Sequence, residues 1–281
     1  FEGGDIRYPG PLSDLERQLA IGRPMVAIGA SGSGGPKQEP GAPRTWVWVG
    51  SDEDRGIVDR RPAAVTDADI LNGVFQGRLL LSNGPFLDIR ARTPNADGTD
   101  VILWPVGSFI RFAEAPPPGE GTQVGVIVRL RSPPWIDVDT VRILVNGEVV
   151  RTLEVSDANR TDGNAIDDEW LFPVDVVVTE DTFITAEAEG STSLFPVVTP
   201  FEEPLGGIDA ALSAAALAFG LPDVYGRGDG LRAPSPISEA RPYAVTNPII
   251  LDVDASGAFR GPGVAPVAPT APDVPCPPEL Q

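Results

Sequence analysis

The chain has 281 residues with no histidine, one methionine and one cysteine, and its 40 acidic against 21 basic side chains give a formal charge of -19. Without imidazole it lacks the usual general base near neutral pH and the commonest transition-metal ligand, which removes most triad, zinc and related hydrolytic chemistries. Its charge repels phosphate backbones and anionic membrane surfaces, so nucleic acid and membrane insertion are not expected.

The apolar fraction of 42% is enough for a real core, while 31 glycines and 31 prolines favour turns and short strands over long helices. Cys276 cannot form an internal disulfide. The longest apolar stretch, residues 210–221, is short of the roughly 18 residues a membrane span needs. Opening at Phe1 without a basic and apolar leader, the sequence reads as a mature product or an excised piece. A surplus of carboxylates keeps exported proteins dispersed, and a secreted, periplasmic or cell-surface location is expected.

In chain order, Ser13-Asp14-Leu15-Glu16 has the spacing of a capping box and predicts a short helix stopping at Gly22. Met25, Val26, Ala27 and Ile28, apolar without alternation, predict a buried strand emptying into the glycine loop 29–35. Residues 45–49 predict a strand by β-branched and aromatic content. Thr66 predicts the cap of a helix carrying Ala68, Ile70, Leu71, Val74 and Phe75 on one stripe, with Gly77 at its end.

From residue 79 the period changes. Runs at 79–81, 86–91, 101–104, 109–112 and 124–130 predict strands at the spacing of a sandwich or barrel. Asn146-Gly147, between apolar runs 141–145 and 149–153, predicts a type I′ hairpin because both turn residues tolerate positive φ. Further strands are expected at 171–178, 183–188 and 249–253. An insertion at 200–242 is expected to hold one short alanine-rich helix, and residues 261–281 a proline-rich extended tail.

The order of a helix, a buried strand, a Ser-x-Ser loop, Pro43-Arg44-Thr45-Trp46-Val47, Gly77-Arg78 and Ser82-Asn83-Gly84-Pro85 resembles the C-terminal end of the PHP (polymerase and histidinol phosphatase) superfamily, in its CehA/McbA-like branch. Pro134-Trp135, Asn146-Gly147 and Thr246-Asn247-Pro248-Ile249 resemble motifs of the β domain that follows in that branch. The resemblance implies a β-rich α+β chain: residues 1–78 as the remnant of a PHP-type α/β unit, residues 79–260 as an antiparallel β-sandwich. Proteins of this family hydrolyse phosphoester or other ester-like bonds with a water activated by two or three metal ions. The pattern there has Ser-Asp-x-His, whereas this chain has Ser31-Gly32-Ser33-Gly34, with Gly32 at the Asp place and Gly34 at the His place. Natural decay, deliberate replacement and an unrelated glycine loop all produce this sequence.

Other candidates weigh less. Asp252, Asp254 and Ser256, followed by Gly257, match the first half of a calcium loop, but the twelfth position is Gly263 where a bidentate Glu would close the cage. Asp157, Asn159, Thr161, Asp162, Asp167, Asp168 and Glu169 form a second acidic cluster of the kind usually solvated at a loop tip. The 29–35 loop lacks the Gly-Lys-Ser/Thr ending of a phosphate loop. Trp46, Trp48, Trp104, Trp135 and Trp170 read as core packing more readily than as a sugar or peptide groove.

The expected function is a non-catalytic structural or interaction module derived from a PHP-like metallohydrolase, with no cofactor and with a protein partner or an upstream part of its own polypeptide. Two alternatives stay open. One is the C-terminal portion of a metal-dependent hydrolase with ligands upstream of Phe1, and the other is a calcium-stabilised binding domain. Cys276 offers a covalent link to a partner in an oxidising compartment.

Overall fold

The computed structural model describes residues 11–30, 41–49, 65–94, 101–117, 119–163, 167–195, 198, 201–202, 237–238 and 240–263. The elements in order are α1 (Pro11–Ala20), β1 (Arg44–Val47), α2 (Asp67–Phe75), β2 (Leu79–Ser82), β3 (Phe86–Pro94), β4 (Val101–Pro105), β5 (Phe109–Arg111), β6 (Thr122–Ser132), β7 (Thr140–Val145) and β8 (Glu148–Glu154). After a 3-10 turn at Asp157–Asn159 come β9 (Arg160–Gly163), β10 (Asp168–Val178), β11 (Thr182–Glu189), β12 (Phe201–Glu202), β13 (Ile237–Ser238), β14 (Tyr243–Thr246) and β15 (Ile249–Asp252). The helix expected in the 200–242 insertion and the tail beyond residue 263 lie outside the described residues.

Two sheets pack face to face as a β-sandwich. The larger runs β1-β2-β14-β11-β15-β5, with β7 also on β11 and β8 on β7; the smaller runs β4-β3-β6-β10-β9. Pairing is antiparallel except between β15 and β5. Alternation decides which side chains point inward, Leu87, Ile89 and Ala91 of β3 and Val124, Val126, Val128 and Leu130 of β6, while Asp88, Arg90 and Arg129 between them are buried on the other face. The inward residues meet Val141 and Ile143 of β7, Ile184, Ala186 and Ala188 of β11, and Ile249 and Leu251 of β15 in one continuous core. β1, from the N-terminal segment, enters the same large sheet through β2, with Trp46 opposite Leu80.

The hairpin forms at its expected place, with Asn146 at φ 56° and Gly147 at φ 82°. Asn146 does more than turn the chain. Its Oδ1 accepts from the Phe183 amide at 3.0 Å, and its own amide donates to the Phe183 carbonyl at 2.9 Å, fastening the turn to β11.

Both predicted helix stops hold. Gly22 and Gly77 take positive φ, and the paired bonds Arg23 N to Gln18 O and Gly22 N to Leu19 O, then Arg78 N to Gly73 O and Gly77 N to Val74 O, are two Schellman closures. Thr66 caps α2 as expected: its hydroxyl accepts from the Asp69 amide, and Asp69 Oδ2 accepts from the Thr66 amide at 2.8 Å. Ser13 lies inside α1 and not at its N-cap. α1 begins at Pro11, whose fixed φ and absent N–H suit a first helical turn. Glu16 is thereby freed from a capping role.

The stripe predicted to bury α2 also fails. Gly73 is its buried residue, and a Cβ there would lie 2.6 Å from Val47 Cγ1. The helix therefore approaches β1 along a glycine and leaves Ile70, Leu71 and Phe75 exposed, Phe75 at 81%.

The strand predicted at residues 25–28 is not a strand, and Met25, Val26 and Ile28 are exposed. Side chains hold it instead of a ladder. Asn247 Oδ1 accepts from the Ala27 amide at 2.7 Å and its Nδ2 donates to the Ala27 carbonyl at 3.0 Å, across 220 residues. Thr45 Oγ1 then accepts from the Gly29 amide at 2.8 Å and donates to the Gly29 carbonyl at 2.6 Å. The segment so held passes over Leu81, which a Cβ on Gly29 would meet at 3.2 Å. β2 is thus buried along its whole length.

Asn247 is completely buried and also reaches the Leu79 carbonyl with Nδ2 at 3.3 Å. Asn247→Ala orphans both polar groups of Ala27, so thermal unfolding is expected to show a loss of about 2–3 kcal/mol. Amide exchange should accelerate at Ala27 before it does at β6. An unchanged melting temperature would contradict the anchoring role of this side chain.

Candidate functional site

Ser31, Gly32, Ser33 and Gly34, the positions compared with the Ser-Asp-x-His pattern, lie outside the described residues, as does Cys276.

The 252–257 loop is a knot of carboxylates and amides. Asp252 is fully buried at the end of β15; its Oδ1 accepts from the Ser256 amide at 3.0 Å and its Oδ2 from the Gly257 amide at 2.7 Å. Asp254 Oδ1 accepts from the same Ser256 amide at 2.9 Å, and the Ser256 side chain and amide hold the Asp254 carboxyl below its ordinary range. Ser256 Oγ donates to the Ala258 carbonyl. The turn closes through Ala255 and Gly257, both at positive φ.

Asp181, just before β11, completes the group and had no signal in the sequence, since 71 residues separate it from Asp252. Its Oδ1 accepts from the amides of Val253 at 3.0 Å and Asp254 at 3.3 Å, and its Oδ2 from Arg260 at 2.8 Å. One oxygen from each of Asp181, Asp252 and Asp254 lies within 4.8 Å of the others. Distance alone fits a cation. The bonding pattern, however, already uses these oxygens on backbone donors, so the group acts chemically as a clamp on the chain after β15.

The second acidic cluster is a sheet edge. Residues 157–159 make the 3-10 turn and residues 160–163 make β9, paired with β10 through Asp168 and Gly163. Its acids meet arginines: Asp168 pairs with Arg160, Asp167 with Arg131, and Glu169 with Arg131 at 3.8 Å and Arg129 at 4.0 Å.

The tryptophans diverge. Trp104 Nε1 donates to Thr93 Oγ1 and Trp170 Nε1 to the Ser156 carbonyl, both rings lying against the core. Trp46 meets Phe86 edge-on at 5.8 Å between centroids, and Trp48 lies beneath the Arg78 guanidinium. Trp135 is exposed.

A third constellation went unread because its members are scattered through the sequence. On the outer face of the large sheet, Arg142 of β7 lies in register with Glu187 of β11. Arg142 Nε donates to Glu187 at 3.2 Å, while Nη1 and Nη2 bind Glu189 in bidentate fashion at 3.0 and 2.7 Å. The Tyr243 hydroxyl of β14 donates to Glu187 Oε1 at 3.0 Å, and burial followed by the Glu187 charge raises its pKa well above the ordinary value. Glu16 of α1 faces the group from above. Burial, then the charge of Glu187, pushes its carboxyl up to about 7.

Among the described residues, no helix is long and apolar enough to cross a membrane. No family model, curated protein or solved structure matches this chain.

The Asp181 clamp generates a test. Asp181→Ala leaves three amides at the base of the loop without acceptors and should cost about 2–4 kcal/mol by denaturant unfolding. Because those oxygens are already engaged, millimolar calcium should leave the wild-type melting temperature within about 1 °C, against the several degrees a ligand at many times its Kd produces.

Proposed function

We propose that this chain is a non-catalytic structural or interaction module: a β-sandwich bearing an outward apolar face that receives a protein partner or another part of the same polypeptide. The observation that carries the reading is the placement of Ile70, Leu71 and Phe75 on α2 and of Met25, Val26 and Ile28 on the side-chain-held segment, all exposed. The two elements adjoin, since a Cβ on Gly77, just past α2, would lie 3.4 Å from Val26 Cγ2. An apolar face of this kind marks an interaction surface more often than chance exposure does.

Charge distribution favours the same face. Residues 1–82 hold 9 basic and 11 acidic side chains, a net of -2, leaving -17 of the total -19 to the remainder. The N-terminal segment therefore contributes little of the repulsion toward like-charged macromolecules. The described carboxylates and arginines support the non-catalytic part of the reading, because in the three constellations they bond mainly to one another or to backbone amides.

Descent from a PHP-like metallohydrolase belongs to this proposal on the strength of the ordered motifs, from the Ser31 loop to Thr246-Asn247-Pro248-Ile249. An exported or cell-surface setting rests on the acidity alone.

A photo-crosslinking residue at Phe75 or Ile28 should form a defined protein adduct in the native host. The adduct from Ile28 should disappear with Ile70→Asp plus Phe75→Asp, while stability stays within about 0.5 kcal/mol per substitution, as for surface changes that break no contact. Hydrolysis of a phosphoester by the purified chain supplied with manganese, with no adduct from either position, would overturn the proposal.

A further inference from the structure

We propose that Glu16 makes the seat of α1 a proton-operated clasp, tight when its carboxyl is protonated and loosened when it ionises beside Glu187. The proposal stands apart from the outward face of α2 and needs no partner for it.

The seat is apolar and small. Leu15, Leu19 and Ala20 of α1 pack with Phe183 of β11 and Phe259 in a cluster separate from the sandwich core. Glu16 lies one position along the helix, above the turn at Gly147, where an added Cβ would come within 3.4 Å of its carboxyl. The groups facing it are Glu187 from β11 and Tyr243 from β14, with Arg142 of β7 and Glu189 of β11 bonded behind Glu187. The hairpin turn presents Gly147, which has no charge. Arg260 of the C-terminal segment points its guanidinium at Asp254, 3.5 Å away.

Charge balance sets the direction. The one guanidinium in the group is engaged by Glu187 and, through two nitrogens, by Glu189. The Tyr243 hydroxyl donates its hydrogen bond to Glu187. A third carboxylate, Glu16, has no counter-charge left, and no donor among the described residues reaches it. As a neutral acid it fits. Losing its proton to solvent places a further negative charge against Glu187 in a partly dry site, and the relief available is to lift the helix toward water.

The helix does not move alone. The Gly263 amide donates to the Ala20 carbonyl at 3.1 Å. Cβ atoms on Gly22 and Gly261 would fall 2.5 Å from Arg260 O and 2.4 Å from Ala20 O, so the helix end and residues 260–263 are in close backbone contact. Loosening α1 frees both and uncovers Phe183 and Phe259.

The sign follows from linkage. The seated carboxyl holds its proton up to about pH 7, whereas the released one titrates near 4.5. Seating is therefore strongest below pH 4.5, weakens as pH rises through that window, and levels off above pH 7.

Amide exchange at Ile21, Gly22 and Arg23, corrected for the intrinsic rate, tests this. Protection in the wild type should fall about 10- to 100-fold between pH 4.5 and 7.5, with β6 amides unchanged. Glu16→Gln should abolish the dependence, and Glu187→Gln should shrink it by removing the facing charge while keeping burial. A carbon-13 titration of the Glu16 carboxyl should show its midpoint near 7. A midpoint in the ordinary glutamate range, or the same pH profile in Glu16→Gln as in the wild type, would overturn the clasp.

Discussion

The buried amide of Asn247 is the constraint on which the N-terminal part of the fold depends. A carboxamide offers a donor and an acceptor in one plane, as a peptide group does, and Asn247 uses both on Ala27. It substitutes for a missing strand. Without it the extended segment would have two unpaired polar groups over an apolar sheet face, a state costing more than the apolar contacts of one alanine return. Thr45 repeats the device two residues on, with a hydroxyl serving as donor and acceptor for Gly29. Together they cover Leu81 and let β2 be buried on both faces.

That arrangement also explains what sequence patterns could and could not convey. The sandwich was legible because it is local: alternation along β6, the Asn146-Gly147 turn, the Thr66 cap and the stops at Gly22 and Gly77 each depend on a few adjacent residues. Residues 25–28 misled for a physical reason. An apolar run without alternation describes any segment lying on a hydrophobic surface, and its hydrogen bonds go to side chains far along the chain. Ser13 misled in another way, since Pro11 competes for the same helix start. α2 reads as amphipathic yet packs through Gly73, a contact that leaves no hydrophobic mark in the sequence.

The charged groups were the least legible. Asp252 and Asp254 carry the oxygen spacing of a calcium loop, but the structure adds Asp181 from the turn before β11 and directs backbone amides at all three. Asp167, just before β10, and Glu169 within it likewise find arginines on β6. Such networks are made by register, as in Arg142 opposite Glu187, and register between distant strands is not written in either strand alone. The excess of carboxylates thus has two roles here: many tie loops and strands together, and Glu16 is left to balance its charge by holding a proton.

The backbone contact between Gly22 and Arg260 has a consequence for how this polypeptide is made. Synthesis runs from the N-terminus, so α1 leaves the ribosome long before Phe183 and much longer before Phe259 and Gly261 exist to receive it. Its apolar residues stay without their native neighbours until nearly all of the described chain has been translated. The sandwich strands closest in sequence can pair meanwhile, because short loops close at little entropic cost. Helix docking is then the finishing step, sealing the first described element against the last described stretch of chain.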